Sequence, residues 1–179
     1  MSVLSVLADQ EEAILGVVGS LTGLMEKQHE RLVELGVYAE YQAVFGGYLR
    51  LLSDPEAGAE ALKRALFLSW YDLSEPACFT GVSELPSDGR YLVLEALNSA
   101  FARGAIDNDL PWMVPYYHHL TDFAFPNLND HPVLARFLED ADPESYLRAR
   151  LESRQFEGRG QMGRYWQSIL SSPAYRPRP

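Results

Sequence analysis

Apolar residues recur at intervals of three and four along most of this chain, most clearly in VYAEYQAVFGGYLRLL at residues 37–52. That spacing places the apolar side chains on one face of an α-helix. Residues 87–103 and 161–170 repeat the pattern, and no segment shows the strict alternation typical of a half-buried β-strand. The sequence therefore predicts an all-α fold, a compact single-domain helical bundle or irregular helical domain of about seven to nine helices.

Prolines and capping residues predict where further helices begin and end. Pro115 suits the first turn of a short helix at residues 115–124, and Asp130 is the predicted cap of the helix after it. The stretch DADPESYLRARLESRQFEG at residues 140–158 opens with an Asp-Pro pair and predicts another helix. The stretch at residues 55–76 has a middle that is apolar nearly all round, which predicts a central helix.

The first 36 residues are helical in pattern, but their register allows two interpretations. They form one long helix, or two with a break among Gly16, Gly19 and Gly23. Gly19 and Gly23 lie about one helical turn apart, a spacing that lets another backbone approach closely, so we expect tight packing there.

Length, cysteine content and apolar runs limit the class of protein. A chain of 179 residues suits one domain, which we place at residues 1–170, followed by a flexible basic tail at residues 171–179. The single cysteine cannot form an internal disulfide, and the first residues lack the pattern of a secretory signal. The longest apolar run, residues 13–25, is too short to span a membrane. We therefore expect a cytoplasmic protein with no membrane partner.

The net charge of −10 is unevenly distributed. Residues 1–147 hold eight basic and 23 acidic residues, a net −15, whereas residues 148–179 hold seven basic and two acidic residues, a net +5. The acidic body repels phosphate backbones, so nucleic acid is not an expected partner. The basic C-terminal segment is expected to dock on its own acidic body, with an acidic partner surface as the alternative.

The segment YYHHLTDFAFPNLNDHP at residues 116–132 holds three of the four histidines. His118 and Asp122 are four residues apart, within contact distance on a helix, and His131 from the following loop makes a third candidate ligand for a divalent metal. The segment lacks H-E-x-x-H, and Glu26-x-x-His29 lacks the second copy that di-iron bundles need. A metal-dependent enzyme is therefore the alternative hypothesis, and no cofactor is expected.

The leading hypothesis treats the same region as a protein-binding surface. Carboxylates and aromatic rings lie close together in the sequence there, a combination that suits an interface with a basic protein. The candidate partner-binding residues are Asp107, Asp109, Trp112, Tyr116, Tyr117 and Asp122. Small size, acidity and missing catalytic motifs are typical of immunity-type and antitoxin-like inhibitors. A non-enzymatic, acidic helical binding module is the function predicted, and a structural subunit of a larger assembly is the remaining alternative.

Overall fold

The computed structural model describes residues 2–149, 151–173 and 175 of the chain. Nine α-helices form within these residues, and they contain no strand, so the predicted all-α fold is confirmed at the upper end of the predicted number. The helices are α1 Val3–Ser20, α2 Met25–Glu34, α3 Val37–Leu51, α4 Gly58–Ser74, α5 Ala77–Thr80, α6 Ser87–Arg103, α7 Leu110–Leu120, α8 Pro132–Asp140 and α9 Gly160–Ser171. No helix in the described part of the chain is long and apolar enough to cross a membrane.

Helix α4 is the central element, as its apolar sequence predicts. Every residue from 61 to 70 is buried, and the helix packs against α3, α6, α7 and α9. Phe67 and Trp70 lie against Tyr117 of α7 and Tyr165 of α9. The core is therefore a stack of aromatic rings around one buried helix.

The first 36 residues form two helices, α1 and α2, separated by residues 21–24. Gly23 has φ +115° at this break, a conformation that glycine adopts without strain. The expectation of tight packing at Gly19 and Gly23 is wrong, because a Cβ on either glycine would meet open space. The close approach occurs instead at Gly47 of α3, where a Cβ would lie 2.6 Å from the Leu7 side chain.

Helix α7 begins five residues before the predicted start at Pro115 and ends at Leu120. Asp107 accounts for the early start, because its side chain accepts hydrogen bonds from the backbone N–H groups of Asp109 and Leu110 at 3.0 and 3.2 Å. Pro115 therefore lies inside the helix, and residues 122–124 form a separate 3₁₀ turn.

Two further predicted elements differ in the structure. In the predicted helix at residues 140–158, Asp140 is the last residue of α8, and the described residues after it form no α-helix but two short 3₁₀ turns, at Ser145–Leu147 and Ser153–Phe156. Helix α8 is not capped by Asp130: the Asn98 side chain of α6 accepts hydrogen bonds from the Val133 and Leu134 N–H groups, both at 3.0 Å. The cap of α8 could not be predicted from local sequence, because Asn98 lies 35 residues before Val133.

Much of the predicted tail lies outside the described residues. In its described part, Ser171 completes α9 and the Tyr175 ring stacks against Tyr146 with centroids 6.4 Å apart. The basic segment before it does dock on the acidic body: Arg159 contacts Glu60, and Arg164 contacts Glu12. Arg150, Arg176 and Arg178 lie outside the described part of the chain.

Candidate functional site

Three cations and three carboxylates meet where α4, α7 and α9 converge. We call them the ion-pair cluster; its members are Glu60, Lys63, Arg64, Asp107, Asp109 and Arg159. Lys63 Nζ lies 3.0 Å from Glu60 and from Asp109 and 2.5 Å from Asp107. Arg159 binds both Glu60 oxygens, at 2.8 and 2.6 Å, and reaches Asp109 at 3.0 Å. All members except Asp107 line a cleft of about 600 Å³, and the three positive and three negative charges of the cluster balance.

The pKa of the Glu60 carboxyl shows how strongly the cluster is coupled. Burial by itself raises this pKa, but hydrogen bonds from Arg159 and the charges of Arg159, Lys63 and Arg64 lower it to about 2. Lys63 and Arg159 are almost fully buried, and their pKa values are raised despite that burial, because the carboxylates favour their charged forms. The cluster therefore joins three helices through mutually supporting ion pairs.

A second buried carboxylate, Glu11 of α1, lies near the cluster. Its side chain accepts hydrogen bonds from the Tyr48 hydroxyl and, at 2.8 Å, from the Gln161 N–H in the first turn of α9. Glu11 is only 1% exposed, and burial raises its pKa to about 7, although Tyr48, Gln161 and Arg64 act in the opposite direction. Gly160 gives it room, because a Cβ there would lie 2.5 Å from a Glu11 oxygen.

The structure places most of the predicted partner-binding residues inside the molecule. Trp112, Tyr116 and Tyr117 are 4%, 9% and 0% exposed. The Tyr117 hydroxyl accepts a 2.7 Å hydrogen bond from the Trp166 indole, and Tyr116 and Tyr165 share one of 2.7 Å. These rings are core residues and are not available on the surface of the isolated chain.

The two predicted carboxylates Asp107 and Asp109 are half-buried members of the ion-pair cluster. Their charges are balanced by Lys63 and Arg159, which leaves little attraction for a partner. Of the six candidate residues, only Asp122 is exposed and makes no ion pair. The residues around Asp122 are therefore the remaining candidates for a partner-binding surface in this segment.

The predicted metal ligands His118, Asp122 and His131 do not form a common site. His118 and Asp122 line one cleft, whereas His131 is buried against the Tyr91 ring, with centroids 5.3 Å apart. Helix α7 ends before Asp122, so the expected helical i, i+4 arrangement of His118 and Asp122 does not form, and the two side chains line the same cleft without a hydrogen bond between them. No group of three or more His, Cys, Asp or Glu side chains in the described ranges has an arrangement that could hold a metal ion.

The cleft that holds His118 and Asp122 has a volume of about 320 Å³. Its other wall comes from the end of α8, at Leu138, Ala141 and Pro143. Burial lowers the pKa of His118, an effect strengthened by His119 and opposed by the charge of Asp122. The histidine is therefore held mainly neutral at physiological pH.

Two large apolar side chains are exposed next to this cleft. Leu120 is 53% and Phe123 is 64% exposed. Asp122 lies between them in sequence, and the exposed Glu139 and Asp140 lie between two residues that line the opposite wall. Within the described residues, none of these three carboxylates makes an ion pair, and Arg136, one turn earlier on α8, pairs with neither of its acidic neighbours. We call Leu120, Asp122, Phe123, Glu139 and Asp140 the Phe123 surface.

Sequence reasoning overlooked the buried charged residues, although two signals were present. Glu11 falls on the same helical face as Leu7, Ile14 and Val18, and a carboxylate on an apolar stripe indicates a buried acid. In α4, an acid is followed by cations three and four residues later, the spacing of helical ion pairs. The third partner, Arg159, is 99 residues from Glu60 and has no local signal.

Comparison of the chain with protein-family models, with curated protein sequences and with solved structures finds no match. The function is therefore inferred from the geometry of the molecule.

Proposed function

We propose that this protein is a non-enzymatic binding module that inhibits a basic protein in the cytoplasm, and that the Phe123 surface is its contact region. The observation that carries the proposal is the exposure of Phe123 and Leu120 beside three carboxylates that make no ion pair. Exposed large apolar side chains with a polar rim are typical of protein interfaces. The segment at residues 116–132 thus contributes both to the core and to the proposed interface.

Charge favours a basic partner and opposes nucleic acid. Most described cations are already in ion pairs within the chain, among them Lys63, Arg64, Arg90, Arg159 and Arg164. The surplus of carboxylates is exposed, so the field outside the molecule is negative. A phosphate backbone is repelled by this field, whereas a basic protein is attracted.

The shape of the surface indicates how the partner binds. Phe123 supplies an aromatic anchor, the residue type that dominates binding energy when a partner covers it. The cleft of about 320 Å³ behind Asp122 has room for one long side chain of the partner. A lysine or arginine fits this cleft, because its aliphatic part can pack on Leu138 and its charge can pair with Asp122.

The experiment compares two exposed phenylalanines. Phe123 is 64% exposed on the proposed surface, and Phe79 is 58% exposed on α5. The partner is captured from the source cell on wild-type protein, identified by mass spectrometry and produced recombinantly. Binding of the wild type, Phe123→Ser and Phe79→Ser to that protein is then measured by titration calorimetry.

We expect Phe123→Ser to weaken binding by about 2 kcal/mol or more, and Phe79→Ser to leave it unchanged. Asp122→Asn is expected to weaken binding as well, whereas the exposed control Asp130→Asn is not. An acidic partner, or equal effects of Phe123→Ser and Phe79→Ser, would contradict the proposal and favour a structural subunit of a larger assembly.

A further inference from the structure

Helix α1 carries two rows of largely apolar residues, and only one of them packs into the core. Leu7, Ile14 and Val18 are buried against the rest of the molecule. A second row of exposed, uncharged residues runs along the helix beside them. We call this row the α1 seam; its members are Val3, Val6, Gln10, Ala13, Val17 and Ser20, with Val3, Val6 and Val17 being 60%, 42% and 37% exposed.

The spacing along the α1 seam is that of a helix–helix contact. Its positions follow intervals of three, four, three, four and three residues, the a and d positions of a heptad repeat. A helix with this pattern packs against another helix along its whole length, about 27 Å for 18 residues. Gly16, which borders this row, has open space where a Cβ would lie, so the described residues leave room for a close approach at that position.

Charge decides which partner suits this row. No member of the α1 seam is charged, and among the residues at the e and g positions that border it, Leu7, Asp9, Ile14 and Gly16, only Asp9 carries a charge. A basic partner therefore gains little electrostatic attraction here. An uncharged row on a protein of net charge −10 is instead where a second copy of the same chain can approach with least repulsion.

The row is also self-complementary. In an antiparallel pair related by a two-fold axis, each a position faces a d position of the other copy. Val6 then meets Val17 of the second copy, Gln10 meets Ala13, and Val3 meets Ser20. All six positions find a partner within the row, and Asp9 lies nearest to Gly16 of the other helix, which avoids contact between like charges.

We propose that the chain forms a two-fold symmetric homodimer through antiparallel pairing of its α1 helices along the α1 seam. Sedimentation velocity of the full chain from about 1 μM to about 1 mM tests this, because a homodimer of this kind depends on concentration. We expect a monomer–dimer equilibrium. A monomer at every concentration overturns the proposal.

Charged substitutions test the position of the contact. Val6→Lys and Val17→Glu each place a charge in the apolar contact and should weaken the homodimer by at least about tenfold. Val33→Lys, at a residue that is 55% exposed on α2, is the matched control and should have no effect. Val6→Ser, which adds no charge, should weaken the dimer to a smaller degree. Circular dichroism melts establish that each variant is folded.

Mixing the two charged variants tests the antiparallel register. Residue 6 of one copy faces residue 17 of the other, so Val6→Lys and Val17→Glu together form one Lys–Glu pair and one native Val–Val pair. We expect a heterodimer that is at least about tenfold tighter than either variant alone, and no such recovery when Val6→Lys is mixed with Val17→Lys, because that pairing places two lysines opposite each other. Equal recovery with both mixtures, or a dimer that Val33→Lys disrupts, overturns the proposal. No partner protein is involved, so this outcome is independent of the proposed function.

Discussion

The stability of this protein should fall as the pH rises from 5 to 8, because of one buried carboxylate. Glu11 is 1% exposed, and burial raises its pKa from the ordinary value of 4.5 to about 7. Between these two values the folded chain binds a proton that the unfolded chain has released. The stabilisation is therefore fully present below pH 4.5 and is lost as the pH rises through 7.

The size of the effect follows from the difference between the two pKa values. One pKa unit corresponds to about 1.4 kcal/mol, so full ionisation of Glu11 costs about 3 kcal/mol of unfolding free energy. Glu11→Gln removes this cost, because the amide retains an acceptor for the Gln161 N–H and can donate to Tyr48. We expect the variant to be about 3 kcal/mol more stable than the wild type at pH 8 and within about 1 kcal/mol of it at pH 5.

Urea unfolding at pH 5, 6, 7 and 8 measures this difference. Glu60, whose pKa is about 2, titrates below the range, so the comparison of wild type with Glu11→Gln isolates Glu11. Glu12→Gln is the control, because it changes the neighbouring, partly exposed carboxylate. The decrease of unfolding free energy with rising pH should be the same in this variant as in the wild type. A difference in stability between Glu11→Gln and wild type that stays constant from pH 5 to 8, or a Glu11→Gln variant less stable than wild type at pH 8, would refute the reasoning.

Three further substitutions test the packing and the ion pairs by urea unfolding. Gly160→Ala should cost about 1–3 kcal/mol more than Gly104→Ala, because both glycines have positive φ but only at Gly160 does a Cβ meet Glu11; equal costs would contradict this. Asn98→Ala should cost about 1 kcal/mol by uncapping α8, whereas Asn98→Asp, which keeps the acceptor, should cost less. Asp109→Asn should cost about 1–3 kcal/mol, and an unchanged stability would show that its ion pairs contribute nothing.

The helices that sequence predicts well are those whose signals are local. The predicted span 87–103 matches α6, and 37–52 matches α3 to within one residue. The helix predicted at residues 140–158 does not form, because an Asp-Pro pair is equally suited to a turn. The Asp142 side chain accepts a hydrogen bond from the Glu144 N–H, and Gly158 has φ +68°. A start signal predicts a boundary only when the residues after it bury a continuous face.

The candidate site was harder to predict, because its contacts join distant parts of the chain. Asp107 and Asp109 were interpreted as exposed charges, but their partners Lys63 and Arg159 are 44 and 50 residues away. The aromatic residues near them gave no indication of which rings face inward, since α7 is buried on most sides. Asp122 and its neighbour Phe123 are exposed because α7 ends at Leu120, where Thr121 leaves the helical conformation with φ −153° and ψ 80°.

The most direct test of the account is the association rate of the captured partner at two salt concentrations. If a basic protein is attracted by the acidic surface, stopped-flow association with the wild type should slow markedly between low and physiological ionic strength, where the screening length shortens to about 8 Å. The dissociation rate should change much less. An association rate that does not depend on salt would contradict the central claim that exposed carboxylates around Phe123 recognise a basic partner.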